Sequence, residues 1–470
     1  MIIFGTDGWR GLLDSEINIA SVEEVAQAFA LYLKNKFAQK DKQSVAIGYD
    51  GRRCSPEFAA AFAEVLSGNN ITVYLSDDIV PTPALSFYVK KHNLNAGVMI
   101  TASHNPPVYN GIKFKADYGG PFLTEETLIV ENNLYKQKPI KNASLVIKSD
   151  LMKDYIEQIE SIIDFESISK AGLNILIDSM SGAGRLILEK LLTKHKCLSH
   201  TIFATADENF SGRLAEPIEA NLQPLMDKLS TVGIYSLGVA TDGDADRLGV
   251  ILENGKWLSA QETILYLTDY IVNVKKFTGH VVKTSSVTDK MYKFQNDDRK
   301  ILDVQVGFKY ICEKMITENV AIGCEESGGY GYKIHIPERD GIFSALLLTE
   351  MLAKSGYKKL SGYVDAKRKE YGNIYYDRID LKYHKENRTE ILPAMFGNPP
   401  ADIAGFKVEN VTPYYSSRGI INGLKFFLQD KPRWLLIRAS ETEPMIRFYA
   451  EGHSDEEVQM ILQAGVAFVS

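Results

Sequence analysis

The chain is 470 residues long, more than one hydrophobic core usually serves, so several domains are expected. Lysine and arginine number 53 against 60 aspartates and glutamates, a formal net charge of -7, which argues against a nucleic-acid-binding face or a general attraction to acidic membranes. Four scattered cysteines (Cys54, Cys197, Cys312, Cys324) fit neither a zinc pattern nor a disulfide framework, and the opening MIIFGTDGWRG lacks a signal peptide's apolar core. No run of eighteen apolar residues follows, so a cytoplasmic enzyme is expected, and any anionic substrate must be met by a local basic pocket.

Helix and strand signals alternate from the start. Ser21 with Glu24 has capping-box spacing, after which Val22, Val25, Ala26, Phe29 and Leu33 recur at helical spacing. Val45 to Tyr49 reads as a buried strand, Ser55-Pro56 opens a helix ending near Gly68, and Ile71 to Leu75 reads as the next strand. A helix from Pro83 to His92 and a buried strand from Ala96 to Ile100 complete a first α/β unit with a largely parallel sheet. Directly after that strand comes TASHNPPVYNGIKF, whose Pro106 and Pro107 exclude helix and leave Ser103 on a short, constrained connection. Its neighbours His104, Asn105 and Lys113 can donate hydrogen bonds to an anion. A serine at such a corner more often satisfies backbone groups, so its chemistry depends on what the rest of the chain supplies.

A polar, lysine-rich stretch from Tyr135 to Lys148 marks a domain boundary. The second unit takes strand Leu173 to Ile177, the turn Ser181 to Gly184, a helix from Leu186 and strand Ile234 to Ala240. The strand runs into TDGDADR, where Asp242, Asp244 and Asp246 alternate with small residues. Each pair of such charges about 4 Å apart repels by about 4 kcal/mol at an effective dielectric near 20, a cost that a bound Mg²⁺ offsets. An EF-hand calcium loop is the alternative, since Glu253 stands at its twelfth position, but Arg247 occupies the sixth, where the turn needs glycine, and strands flank the loop. A solvated acidic turn is the other.

The third unit starts near Asn254-Gly255 with Trp257 and includes strand His280 to Lys283 and the apolar helix Gly341 to Leu352. Within it, apolar Val320 to Ile322 leads into GCEESGG, whose glycines allow close approach to a polyhydroxylated ligand, with Glu325 and Ser327 placed to bond hydroxyls. Alone, that stretch equally describes a glycine-rich turn with incidental acids. From Tyr371 to Ile379 the pattern changes to short strands, and the chain closes with strands Trp434 to Ile437 and Met445 to Ala450 and a helix capped by Ser454. Between those strands lies RASETEP, where Arg438, Ser440, Thr442 and Arg447 suit a phosphate that is not transferred. A connecting loop with surface ion pairs is the alternative, and Glu441 must point away from any phosphate. The expected architecture is α/β, three similar mixed-sheet domains (1–143, 144–254, 255–372) and a smaller C-terminal α+β domain (373–470) around a central cleft.

Taken in order, these loops resemble those of the α-D-phosphohexomutase family over the whole length. FGTDGWRG is similar to its N-terminal signature, TASHNPPVYNGIKF to its phosphoserine loop, TDGDADR to its metal loop, CEESGG to its sugar-recognition loop and RASETEP to its phosphate loop. Smaller similarities are Asp50 and Arg52 in YDGRRCSPE, Thr82-Pro83, Pro217, Gly307 and Lys309 in VGFKYI, and Arg339-Asp340-Gly341. The resemblance implies that a phosphorylated Ser103 donates its phosphate to a hexose 1- or 6-phosphate, and that the hexose 1,6-bisphosphate turns end for end and returns its other phosphate. It implies Mg²⁺ on Ser103, Asp242, Asp244 and Asp246, catalytic duties for Arg10, His104 and Lys113, and substrate contacts from Arg247, Lys309, Glu325, Ser327, Arg438, Ser440, Thr442 and Arg447.

The partners expected are small sugar phosphates, with no nucleic acid or membrane, for a monomer or homodimer. Lys309 matches glucose-type members, whereas Gly329 stands where many mannose-active bacterial members carry histidine, and Ala439 and Glu441 replace a usual proline and glycine. On Lys309, glucose is the favoured sugar, with mannose or glucosamine next, while Gly329 leaves the proton-transfer group unassigned. An Mg²⁺-dependent sugar phosphatase and a non-catalytic sugar-phosphate binder are the readings of different class.

Overall fold

The structure is a computed structural model that describes residues 2–5, 8–40, 42–383, 388–416, 419–440 and 444–469. The first sheet contains β1 (Trp9–Leu12), β2 (Gln43–Tyr49), β3 (Ile71–Ser76), β4 (Ala96–Ile100), β5 (Tyr109–Ala116) and β6 (Val146–Ser149), in spatial order β1-β5-β4-β2-β3-β6. The second contains β7 (Asn174–Asp178), β8 (Leu198–Ile202), β9 (Leu237–Thr241), β10 (Leu248–Leu252) and β11 (Trp257–Leu258), in the order β11-β10-β9-β7-β8. The third contains β12 (His280–Thr284), β13 (Ile301–Val304), β14 (Val320–Glu325) and β15 (Gly329–Tyr332), in the order β13-β12-β14-β15.

These three sheets repeat one plan. Each has three parallel strands with the third in chain order beside the first, followed by an antiparallel strand folded back onto the third: β5-β4-β2-β3, β10-β9-β7-β8 and β15-β14-β12-β13. The third strands β4, β9 and β14 are buried along their whole length, as continuous apolar runs in parallel sheets should be. The chain leaves each of them at the same corner. There sit the serine loop, the aspartate loop and the CEESGG loop.

Three sequence expectations shift. The first helix (Ile19–Lys36) is capped one turn earlier than the Ser21/Glu24 spacing suggests: Asn18 accepts from the Ser21 amide at 3.1 Å and Ser21 Oγ accepts from the Asn18 amide at 3.0 Å. Asparagine is as good an N-cap as serine, and Glu24 instead accepts a hydrogen bond from the Tyr135 amide. The polar stretch ending at Lys148 is no plain linker, because β6 pairs parallel with β3 and extends the first sheet beyond residue 143. Trp257 belongs to the second sheet, where β11 pairs with β10, and does not open the third unit.

The helix Gly341–Ser355 is buried almost throughout and packs on β9, β10 and the helix Phe165–Ala171, so the second and third units share one apolar cluster. Its N-terminus abuts the aspartate loop: the Gly341 amide donates to Ala245 O at 3.1 Å, and a Cβ at Gly341 would lie 2.3 Å from Arg247 O. Only glycine permits that approach.

The fourth sheet is antiparallel: β16 (Tyr375–Lys382), β17 (Asp402–Ile403), β18 (Phe406–Tyr415), β19 (Ile421–Leu428), β20 (Trp434–Ala439) and β21 (Met445–Gly452), in spatial order β16-β21-β20-β19-β18-β17. Helices Arg388–Gly397 and Asp455–Ala467 cover the face that carries Leu424, Phe426, Ile437 and Phe448, and Ser454 caps the last helix as its sequence suggests. The opposite face carries Lys425, Trp434 and Glu451 and meets the third unit through Asp289 and Thr288. Among the described residues no helix is long and apolar enough to cross a membrane.

Candidate active site

Ser103 has φ 54°, a left-handed conformation that costs a serine energy unless its surroundings impose it. Arg52 imposes it. The buried guanidinium donates to Ser103 O at 2.7 Å, Asn105 O at 2.6 Å, Pro106 O at 2.9 Å and Tyr109 O at 3.0 Å. Asp50 anchors Arg52 in turn at 3.2 Å, and the Phe210 ring lies 4.7 Å from the guanidinium carbon. The Ser103 amide donates to Thr101 Oγ1 at 2.8 Å, which leaves the hydroxyl aimed at Asp242, with Oγ 2.9 Å from Oδ2.

Asp242, Asp244 and Asp246 are fully buried, and one ligand oxygen from each lies within 4.8 Å of the others. Their remaining oxygens are committed. Asp242 Oδ1 accepts from the amides of Asp246 at 2.9 Å and Arg247 at 3.1 Å. Asp244 Oδ2 accepts from Thr82 Oγ1 at 2.5 Å and Lys113 Nζ at 2.9 Å, and Asp246 Oδ2 accepts from Lys113 Nζ at 3.1 Å and Arg339 Nη2 at 2.7 Å. Asp244 Oδ1 and Asp246 Oδ1 are buried and have no hydrogen-bond partner among the described residues. Three clustered aspartates with two orphaned carboxylate oxygens, next to the Ser103 hydroxyl on Asp242, are a hard, all-oxygen donor set that fits Mg²⁺.

The electrostatics agree. Burial, then the charges of Asp246 and Asp244, push the Asp242 carboxyl well above its usual range, and the charges of Arg247 and Lys113 do not outweigh them. Burial pushes Asp244 the same way, but Lys113 and the Thr82 hydrogen bond outweigh it and hold that carboxyl below its usual range. His104 Nδ1 lies 3.5 Å from Ser103 Oγ and Nε2 lies 3.9 Å from Glu216 Oε1. Burial of the ring, then Arg247, Arg10, Lys113 and Arg339, depress its pKa well below 6.5 and keep it neutral.

Lys113 sits under the aspartate loop and bonds its carboxylates, while Arg10 reaches the serine loop through Asn105 Oδ1 at 2.6 Å. Arg247 Nη1 faces Glu216 at 3.6 Å. Glu325, at the end of β14, accepts from Ser327 Oγ at 2.6 Å and Arg339 Nη1 at 3.1 Å. Lys309 is buried one residue into the helix Phe308–Thr317, after Gly307 at φ 132°. These bonds bring Ser103, Lys113, the three aspartates, Glu325 and Ser327 into one network.

Arg438, Ser440 and Arg447 stand apart from that network, on the fourth sheet. Arg438 and Arg447 pair directly across β20 and β21, a placement of like charges that favours a bound anion. Asp380 lies 3.6 Å from Arg447, and the Ser440 amide donates to Met445 O at 2.9 Å. Thr442 and Glu441 lie outside the described residues.

Motif reading assigned no role to Arg52, Thr82 or Arg339, and none to the buried pair Lys115–Glu338 at 2.5 Å. Arg52, Thr82 and Arg339 stand in the smaller motif similarities, but spacing alone cannot direct them to partners on other loops, such as Asp244 for Thr82 and Asp246 for Arg339.

Models of the phosphoglucomutase/phosphomannomutase α/β/α domains I, II and III match residues 1–141, 153–255 and 260–371, and that of the C-terminal domain matches 392–466. The chain is 31% identical over 470 residues to a phosphoglucomutase/phosphomannomutase of Thermococcus kodakarensis, covering 99% of this chain and 97% of the relative. It is 30% identical over 468 residues to a phosphoglucosamine/phosphogalactosamine mutase of Sulfurisphaera tokodaii, covering 97% and 96%. A Thermus thermophilus protein, solved under the provisional name phosphomannomutase, superposes with a TM-score of 0.85 at 31% identity over 100% of this chain and 99% of its own.

Proposed function

The chain belongs to the phosphoglucomutase/phosphomannomutase family and is a phosphohexomutase, and from that membership we propose that it interconverts glucose 1-phosphate and glucose 6-phosphate through a phosphorylated Ser103. The observation that carries the reading is Ser103 Oγ at 2.9 Å from Asp242, beside the orphaned oxygens of Asp244 and Asp246. Ser103, Asp242, Asp244 and Asp246 would hold Mg²⁺, which when bound neutralises charge on a transferring phosphoryl group. Ser103 carries that group. Arg52 keeps the hydroxyl in one orientation, and Lys113 balances the aspartates.

Glu325 and Ser327 orient the sugar hydroxyls, and Arg438 with Arg447 hold the phosphate that stays on the sugar. His104, with Nδ1 3.5 Å from Ser103 Oγ, is placed by geometry to pass the hydroxyl proton, whereas Lys113 is engaged by two carboxylates. Lys309 supports glucose. The name of the Sulfurisphaera tokodaii relative keeps glucosamine as the second candidate.

Purified protein with Mg²⁺ and a trace of glucose 1,6-bisphosphate should convert glucose 1-phosphate to glucose 6-phosphate faster than it converts the mannose, glucosamine or N-acetylglucosamine analogues. Free phosphate without isomerised sugar would replace the reading with a phosphatase. Intact-mass analysis should show one added phosphate that the Ser103→Ala variant cannot carry, and chelation of divalent ions should abolish turnover until Mg²⁺ is restored.

A further inference from the structure

Arg339 is only 5% exposed and joins two loops that come from different sheets. Its Nη2 donates to Asp246 Oδ2 at 2.7 Å and its Nη1 to Glu325 Oε1 at 3.1 Å, while the guanidinium carbon lies 5.6 Å from the centre of the Phe308 ring. A planar fork can serve two carboxylates at once in a way a lysine ammonium cannot. Since Ser327 Oγ also donates to Glu325 Oε1, that oxygen is fixed from two sides and the orientation of the carboxylate is set.

The route taken by the Arg339 side chain explains a second feature. Gly329 opens β15, paired with Glu325 and bridged to Arg247. A Cβ there would lie 2.4 Å from Arg339 Cδ, 2.8 Å from Arg339 Cγ and 2.9 Å from Glu325 Oε1. Real Cβ atoms do not come so close, so a side chain at 329 must displace the arginine stem, the Glu325 carboxylate or both.

We propose that Arg339 is a positioning residue that locks Glu325 for reading the sugar, and that position 329 is bare so that its side chain can pass. The pair 329/339 then determines how the CEESGG loop presents its carboxylate. This rests on the sugar-reading role given to Glu325.

The test is a set of variants assayed at saturating Mg²⁺, with melting temperature as a second readout. Arg339→Met should raise the KM for hexose 1-phosphate about tenfold, and Arg339→Lys should recover part of that loss. In a Glu325→Gln background, Arg339→Met should add less than about twofold, because the group it serves is already altered. Gly329→Ala should lower the melting temperature and raise KM as Arg339→Met does. Adding Arg339→Met to Gly329→Ala should cost no further melting temperature.

Effects on KM that simply multiply, or melting losses from 329 and 339 that add, would overturn the inference. A parent enzyme that turns over no hexose phosphate would instead refute the functional reading, and the melting temperatures would still decide whether 329 and 339 share one space.

Discussion

At the aspartate loop, Asp242, Asp244 and Asp246 meet Lys113 and Arg339; between the third and fourth units, Asp289 and Asp303 meet Lys283 and Lys425. In both clusters the lysines are buried, and both tie parts of the chain that are distant in sequence. They differ in what is left over. In the second cluster, Asp289 Oδ1 accepts from Lys283 at 3.1 Å and Lys425 at 3.0 Å, and Asp303 accepts from Lys283 at 2.8 Å and the Tyr414 hydroxyl at 3.2 Å. Burial works against the Asp289 carboxylate, but Lys425 and Lys283 hold it below its usual range. In the first cluster, two oxygens remain unbonded and Asp242 is pushed upward. A buried charge cluster that saturates itself is a joint, and one that keeps acceptors in reserve is a site.

The comparison breaks most sharply at Asp242. Asp242→Asn keeps an oxygen for the Asp246 and Arg247 amides and removes one of three crowded charges, so the metal-free fold should be as stable as the parent or more so. The variant should nonetheless lose roughly 10³ to 10⁴ in kcat, and Mg²⁺ should no longer raise its melting temperature. A variant that still binds Mg²⁺ and turns over would show that the reserve oxygens serve another purpose.

Lys425→Met should do the opposite. Asp289 and Asp303 would be left with one cation in place of two, and an uncompensated buried charge costs about 3 kcal/mol or more. Adding Asp289→Asn should recover part of that loss, since the partners form one unit. Denaturant midpoints read this directly. If Lys425→Met melted like the parent, the joint would owe its strength to Glu451, which accepts from Thr288 at 2.6 Å and Trp434 at 2.8 Å.

The site was more legible in the sequence than the joint. Ser103, the three aspartates, Glu325 and Ser327 lie in short runs directly after buried strands, where period and composition expose them. Lys283 and Lys425 lie inside strands otherwise rich in apolar residues, and nothing local says that they face each other. Three similar mixed-sheet domains were expected and are present, but the strand order they repeat was not legible, because the sequences share only apolar runs and corner loops. Asn18 was passed over because Ser21 and Glu24 also fit a cap, and Arg339 was noted in Arg339-Asp340-Gly341 without a role, because one arginine before a helix does not announce a partner at Asp246.

The smallest effect tests whether burial is what sets the two clusters apart from ordinary ion pairs. Glu457 meets Arg433 through two bonds at 2.8 and 2.9 Å, but its side chain is 23% exposed. The Arg433 hydrogen bond lowers its pKa from 4.5 to about 2, so its contribution is complete above 4.5 and disappears as the pH falls through about 2. Solvent screening limits that contribution to about 0.5 to 1 kcal/mol. Glu457→Gln should therefore shift the urea midpoint slightly at pH 7, and the gap from the parent should shrink below pH 4.5 and in 1 M salt, at which the screening length is about 3 Å. The gap caused by Lys425→Met should survive that salt, because ions cannot enter a joint in which both lysines are fully buried. Equal salt sensitivity in the two variants would mean that the joint opens readily, and the fourth unit would then have to be treated as loosely attached.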